Sequence, residues 1–142
     1  MKIYDVNLRK GINEQDKIVR ESLEFTDILK LNEEELDTLK ELFDPSAARE
    51  KFINFLISKY NIQYIFITMG ENGASLYTRD GVSLHADTPR IEVVDTTGCG
   101  DAFVASIVRS FLSNLGHREI LENAVDISSK IATRKGAIVD SI

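Results

Sequence analysis

Asp95-Thr96-Thr97-Gly98-Cys99-Gly100-Asp101 packs two carboxylates, two hydroxyls, two glycines and a thiol into consecutive positions. It stands directly ahead of a stretch whose apolar residues, Phe103, Ile107, Val108, Phe111 and Leu112, recur at helical spacing. The first N–H groups of a helix have no intrahelical acceptor, and the macrodipole adds partial positive charge there. Glycines let an anion approach that backbone closely. The segment therefore describes an anion cradle, with the Asp101 carboxylate at its edge. A carboxylate so placed can take a proton from an alcohol while the cradle holds a transferring phosphoryl group. Gly-rich turns also start many ordinary helices, and Asp favours the first turn, so taken alone the motif is open to both readings. It is not a Walker A loop, since no Gly-Lys-Ser/Thr follows, and the spacing of a dinucleotide fingerprint fails at Phe103.

Elements elsewhere must position this segment. Lys2–Val6 alternates like a strand, and a chain that opens inside an element suggests further sequence upstream. Gln15–Phe25 predicts a helix with an apolar stripe of Ile18, Val19, Leu23 and Phe25. Asp27–Leu31 predicts a short strand. Asn32 then begins a helix carrying Leu36, Leu39, Leu42 and Phe43. Pro45-Ser46 restarts another, with Phe52, Phe55, Leu56 and Tyr60 on one side. Gln63–Met69 reads as a buried strand and Gly70–Gly73 as a turn. Ala74–Thr78 and Val82–Ala86 read as a hairpin through Arg79-Asp80-Gly81, and Ile91–Val94 as a last strand. Two helices follow, one running to about Leu115 and ended by Gly116, the other spanning about Glu119–Thr133. Strands alternating with helices predict an α/β fold with a largely parallel sheet, in which ligands bind at the carboxyl ends of strands.

The 142 residues are 43% hydrophobic and 28% charged, enough for one domain with a core and too few for two. The net charge of −6 arises between Asp16 and Glu50, where eleven acids meet five bases; the rest of the chain is balanced. That surface argues against nucleic-acid binding, and the acids interrupt apolar positions as on a solvated helix face. A single cysteine, Cys99, excludes an internal disulfide and fits a reducing cytoplasm. With only His85 and His117 besides, no zinc finger can form, and neither histidine is assigned a role. No signal-peptide core is present at the start. The longest clean apolar run, Tyr64–Met69 with Thr68 included, is too short to cross a bilayer.

Asp95-Thr-Thr-Gly-Cys-Gly-Asp101-Ala-Phe resembles the second signature of the ribokinase-like (PfkB) carbohydrate kinases, usually D-T-x-G-A-G-D. Other segments follow the family in order. Asp5-Val6-Asn7-Leu8-Arg9 resembles its D-x-N-x-R strand end, common in fructokinase-like members. Asn32-Glu33-Glu34-Glu35 resembles its N-x-x-E motif, and Thr68-Met69-Gly70-Glu71-Asn72-Gly73 its T-x-G-x-x-G loop. Asn123-Ala124 and Thr133 to Ala137 resemble its closing helix and turn. The chain departs from the family in Cys99 where Ala is usual, and in having no proline near Ser141-Ile142. A helix-start thiol can have a lowered pKa, but a redox role for Cys99 is the lesser reading.

The resemblance implies a three-layer α/β/α ribokinase-like fold with a mostly parallel sheet. It is expected to be truncated on the N-terminal side, residues 1–142 forming the nucleotide-binding and catalytic-base portion without the sugar-binding half and lid. It implies Asp101 as catalytic base, with Gly98, Cys99 and Gly100 as the anion hole. It implies that Asn7, Thr68, Gly70, Gly73 and Asn123 contact ATP, and that Arg9 reaches phosphate or substrate. Asn32 and Glu35 would organise Mg²⁺ through water, although the same pair reads as a capping box. Asp95 and Thr97, with carbonyls of residues 134–141, would hold a monovalent cation such as K⁺. The implied activity is phosphoryl transfer from Mg-ATP to a sugar hydroxyl, fructose-like substrates favoured, in the cytoplasm. The alternatives are a nucleotide- or phosphate-binding fragment without kinase activity and a plain structural domain. A sheet cut at this point would expose an edge, so a homodimer or other self-association is expected.

Overall fold

The computed structural model describes residues 1–8 and 15–136. In chain order its elements are β1 (Ile3–Asp5), α1 (Gln15–Leu23), β2 (Ile28–Asn32), α2 (Glu33–Phe43), α3 (Arg49–Tyr60), β3 (Tyr64–Thr68), a 3₁₀ turn (Gly70–Asn72), β4 (Ala74–Thr78), β5 (Ser83–Ala86), α4 (Cys99–Leu112) and α5 (His117–Ala132). The strands form one sheet in the order β1-β2-β3-β4-β5. β1, β2 and β3 run parallel, with Ile3 beside Ile28, and Ile28 beside Tyr64. Only a few residues join β3 to its neighbour β4, too few for a parallel crossover, so the chain doubles back there. The α/β class and the hairpin expected from the sequence are both present.

The chain groups into two compact units, Met1–Met69 with Ser75–Leu84, and Gly70–Ala74 with the residues from His85 onward. In the first, Leu29 and Leu31 of β2 and Ile65 and Ile67 of β3 share one sheet face, as alternation requires. Val19 and Leu23 of α1, Leu36 and Leu39 of α2, and Phe52, Ile53, Leu56 and Ile57 of α3 close over that face. In the second unit α4 and α5 pack on each other, burying Phe103 and Ile107 from one helix and Ile120, Leu121 and Ala124 from the other.

Several boundaries differ from the sequence reading, each for a physical reason. α1 stops at Leu23, and Thr26 Oγ1 donates to the Ser22 carbonyl. The buried stripe is therefore Val19 and Leu23, while Ile18 (60% exposed) and Phe25 (67%) face outward. α3 starts at Arg49, not at Pro45-Ser46, because Asp44 Oδ1 accepts from both the N–H and the hydroxyl of Ser46 and holds a turn there. Phe55 lies at the rim rather than inside. Ile91–Val94 is not a strand: the Val94 and Asp95 N–H groups both donate to the Ala132 carbonyl at the end of α5, leaving Val93 and Val94 exposed. Gly116 does not terminate α4, which ends at Leu112; it caps α5, its N–H donating to Glu119 Oε2 at 3.1 Å. Among the described residues no helix is long and apolar enough to cross a membrane.

Candidate functional site

In the first unit the polar residues gather where the parallel strands end. Asn32 closes β2 beside Thr68, which closes β3. Asn32 is also the N-cap of α2: its Oδ1 accepts the Glu35 N–H at 2.8 Å, and Glu35 Oε2 accepts the Asn32 N–H at 2.8 Å. The capping box is therefore real. Glu35 does more than cap, because its other oxygen, Oε1, accepts the Leu8 N–H at 3.2 Å. A largely buried carboxylate, 7% exposed, thus ties the end of β1 to the end of β2. Between those ties Asn7 is exposed and adopts a left-handed backbone with φ 41°. Behind them the Val6 N–H donates to the Lys30 carbonyl at 3.1 Å. Lys30 Nζ lies 3.0 Å from Asp5 Oδ1. This buried lysine was not singled out from the sequence; its one visible signal is a charge amid the apolar residues of β2. Arg9 falls outside the described residues.

In the second unit the Gly70–Asn72 turn places Gly70 and Gly73 at positive φ, 55° and 89°. Gly73 cannot carry a side chain: a Cβ there would stand 2.0 Å from the Ala86 carbonyl oxygen. Thr88 Oγ1 donates to the Gly70 carbonyl at 2.9 Å and holds the turn.

The entrance to α4 is shaped by hydrogen bonds from Thr97 and Gly136 and by the Gly98 cap. Asp95 Oδ1 accepts the Thr97 N–H at 2.9 Å, and Asp95 Oδ2 accepts the Gly136 N–H at 3.0 Å. Hydrogen bonds from Thr97, first from its side chain and then from its backbone, and from Gly136 hold the Asp95 carboxyl below the usual range. Gly98 is the N-cap in a left-handed conformation, φ 84°, with no side chain to block the turn. The Cys99 N–H donates to the Thr96 carbonyl and the Ala102 N–H to that of Gly98. The N–H groups of Gly100 and Asp101 have no acceptor among the described residues. They sit half-buried and exposed respectively, and the Asp101 carboxylate is open to solvent. The turn is not sealed inside the core.

Burial pushes the Cys99 thiol up, outweighing a hydrogen bond with Ser128. Burial thus works against the thiolate that a nucleophilic role would need. Asn123 is exposed on α5. Among the described residues no group of three or more His, Cys, Asp or Glu side chains converges to hold a metal ion. The structure thus brings Asn7, Asn32, Glu35 and Thr68 to adjacent strand ends, and ties Asp95 and Thr97 to the α4 entrance that carries Gly98 to Asp101. The resemblance implies carbonyls of residues 134–141 near Asp95; the structure brings the Gly136 N–H to that carboxylate.

A model of the pfkB family of carbohydrate kinases matches residues 2–142. A probable fructokinase of Arabidopsis thaliana is 29% identical, the match covering 95% of this chain and 43% of that protein. Aminoimidazole riboside kinase from Salmonella enterica, solved with aminoimidazole riboside and an ATP analogue, is 31% identical at a TM-score of 0.76, covering 95% of this chain and 46% of that one. A putative ribokinase II from E. coli in its apo form superposes with a TM-score of 0.84 at 26% identity, over 95% and 42% of the respective chains. The fold is ribokinase-like, and the chain spans less than half the length of each of these three relatives.

Proposed function

Because the chain belongs to the pfkB family of carbohydrate kinases, we propose that it is the nucleotide-binding and catalytic-base portion of an ATP-dependent sugar kinase. The observation that carries this reading is the α4 entrance: N–H groups on Gly100 and Asp101 that have no acceptor among the described residues, beside an open Asp101 carboxylate. Mg-ATP supplies the transferable γ-phosphoryl group. The sugar hydroxyl oxygen forms the new bond to phosphorus as the bond to ADP breaks, and its proton passes to Asp101. The Gly98–Gly100 backbone stabilises charge gathering on the phosphoryl oxygens. Asn7, Thr68, Gly70, Gly73 and Asn123 contact the nucleotide in this reading.

The proposed metal roles are indirect. Both Glu35 oxygens already accept backbone N–H groups, which suits contact with Mg²⁺ through water rather than direct ligation. Asp95 and Thr97 are the proposed neighbours of a monovalent cation, with one Asp95 oxygen held by Gly136. The D-V-N-L-R segment and the fructokinase relative favour a fructose-like acceptor. Self-association has a candidate surface in β1, which among the described residues is an edge strand paired with β2, and sedimentation of the chain checks it.

The second reading is nucleotide or phosphate binding without turnover. Its support is length: the chain covers 43% of the Arabidopsis fructokinase and 46% of the Salmonella aminoimidazole riboside kinase, and transfer needs both substrates held together. Calorimetry with a non-hydrolysable Mg-ATP analogue and a product assay with ATP and a panel of fructose, ribose and aminoimidazole riboside separate the two. Binding with sugar phosphate formed supports the kinase. Binding without product favours the second reading, and no binding rejects both.

A further inference from the structure

We infer that Glu35 is a positioning residue, whose carboxylate stitches the ends of β1 and β2 together and thereby sets the backbone of Asn7. The role of Asn7 toward nucleotide rests on the function proposed above; the stitch itself does not. Asn7 at φ 41° lies in the left-handed region, which Asn tolerates but does not select. Something must hold it there, and the structure shows what. On one side the buried Val6 donates its N–H to the Lys30 carbonyl. On the other the Leu8 N–H donates to Glu35 Oε1, and the Leu8 side chain packs against the core cluster of this unit. With both neighbours pinned, the Asn7 peptide has little freedom left, and its exposed side chain is presented at the strand end.

Only a carboxylate can do this. Glu35 accepts two backbone N–H groups, from Leu8 and Asn32, one on each oxygen. An amide has a single acceptor oxygen, and its NH₂ group opposes an N–H donor. The Asn32 bond is local to the cap, three residues away, whereas the Leu8 bond spans 27 residues. The longer tie is the one a glutamine would surrender.

The test uses the whole chain. Hydrogen exchange at the Leu8 amide is measured in the wild type and in Glu35→Gln, with the Leu39 amide in α2 as the folding control. Protection of Leu8 in the wild type, lost by about tenfold or more in Glu35→Gln while Leu39 holds, is the expected result. Glu35→Asp, which keeps the charge but shortens the reach, should release Leu8 as well. Affinity for a non-hydrolysable Mg-ATP analogue is then measured for Asn7→Ala, Glu35→Gln and the double variant. A residue acting in part through Asn7 makes the loss in the double variant smaller than the sum of the two single losses, measured at saturating Mg²⁺ so that the contact of Glu35 with the ion through water does not enter. An unprotected Leu8 amide in the wild type, or fully additive losses at saturating Mg²⁺, would each overturn the inference. Should both Glu35 variants fail to fold, Leu8 protection in the wild type still decides it. A wild type that binds no nucleotide rejects the nucleotide reading, and Leu8 exchange then judges the stitch alone.

Discussion

Asp5 and Lys30 stand directly opposite each other on the parallel strands β1 and β2, with the Lys30 ammonium 3.0 Å from Oδ1 and 3.3 Å from Oδ2 of the carboxylate. The Lys30 side chain is 10% exposed, whereas that of Asp5 retains 28%. The two partners are therefore not equivalent. Asp5→Ala leaves a buried ammonium unpaired and should cost about 3 kcal/mol. Lys30→Met keeps the apolar stem and leaves a carboxylate that can still reach water, so it should cost less. Urea midpoints of the two variants check the ranking; equal losses would mean that the ammonium finds water by another route.

The two turn glycines should respond very differently to the same change. Gly70→Ala meets open space and carries only the strain of φ 55°, about 1 kcal/mol. Gly73→Ala adds to its φ of 89° a collision with the Ala86 carbonyl and the Asp87 backbone. It should cost about 3 kcal/mol or more. Thermal midpoints of the pair measure the gap, and similar values would show that β5 yields at Ala86.

Asp95 should make the fold sensitive to acid. Its carboxyl pKa is held below the unfolded value by Thr97 and Gly136. A depressed pKa contributes stability above the unfolded value, near pH 4, and that contribution disappears as pH falls through the folded value. Asp95→Asn should therefore be less stable than the wild type at neutral pH, with the two melting curves converging in acid. Melting temperatures from pH 7 down to about pH 2 report this. A constant difference across the range would mean that Asp95 acts through shape and not charge.

In a polypeptide with sugar-kinase turnover that contains this chain, Asp101→Asn should retain nucleotide affinity and lose kcat by about 10²–10⁴-fold. Asp101 is exposed, so its loss leaves no buried group unsatisfied. The fold should survive, and the kinetics report chemistry alone. Unchanged turnover would reject Asp101 as the base.

What could be read from the amino-acid order was local. The Asn32–Glu35 capping box and the Gly98–Asp101 helix entrance depend on neighbours a few residues apart, and so do the α1–α3 and β2–β3 core periodicities. Residue types at fixed spacing express those preferences directly. The misread ends of α1, α3 and α4, and the missing strand at Ile91–Val94, lie where a turn or a distant carbonyl outcompeted propensity.

The order of residues thus determined the α/β class, the glycine-rich start of α4 and the set of candidate residues. Tertiary structure alone decided how they are held. Leu8 meets Glu35 across 27 residues, Lys30 meets Asp5 across 25, and Gly136 meets Asp95 across 41. Each tie joins a buried or half-buried polar group to a partner supplied by another segment, and no local spacing encodes such a meeting. It follows from burial, because a polar group removed from water must find a partner wherever the packed chain brings one.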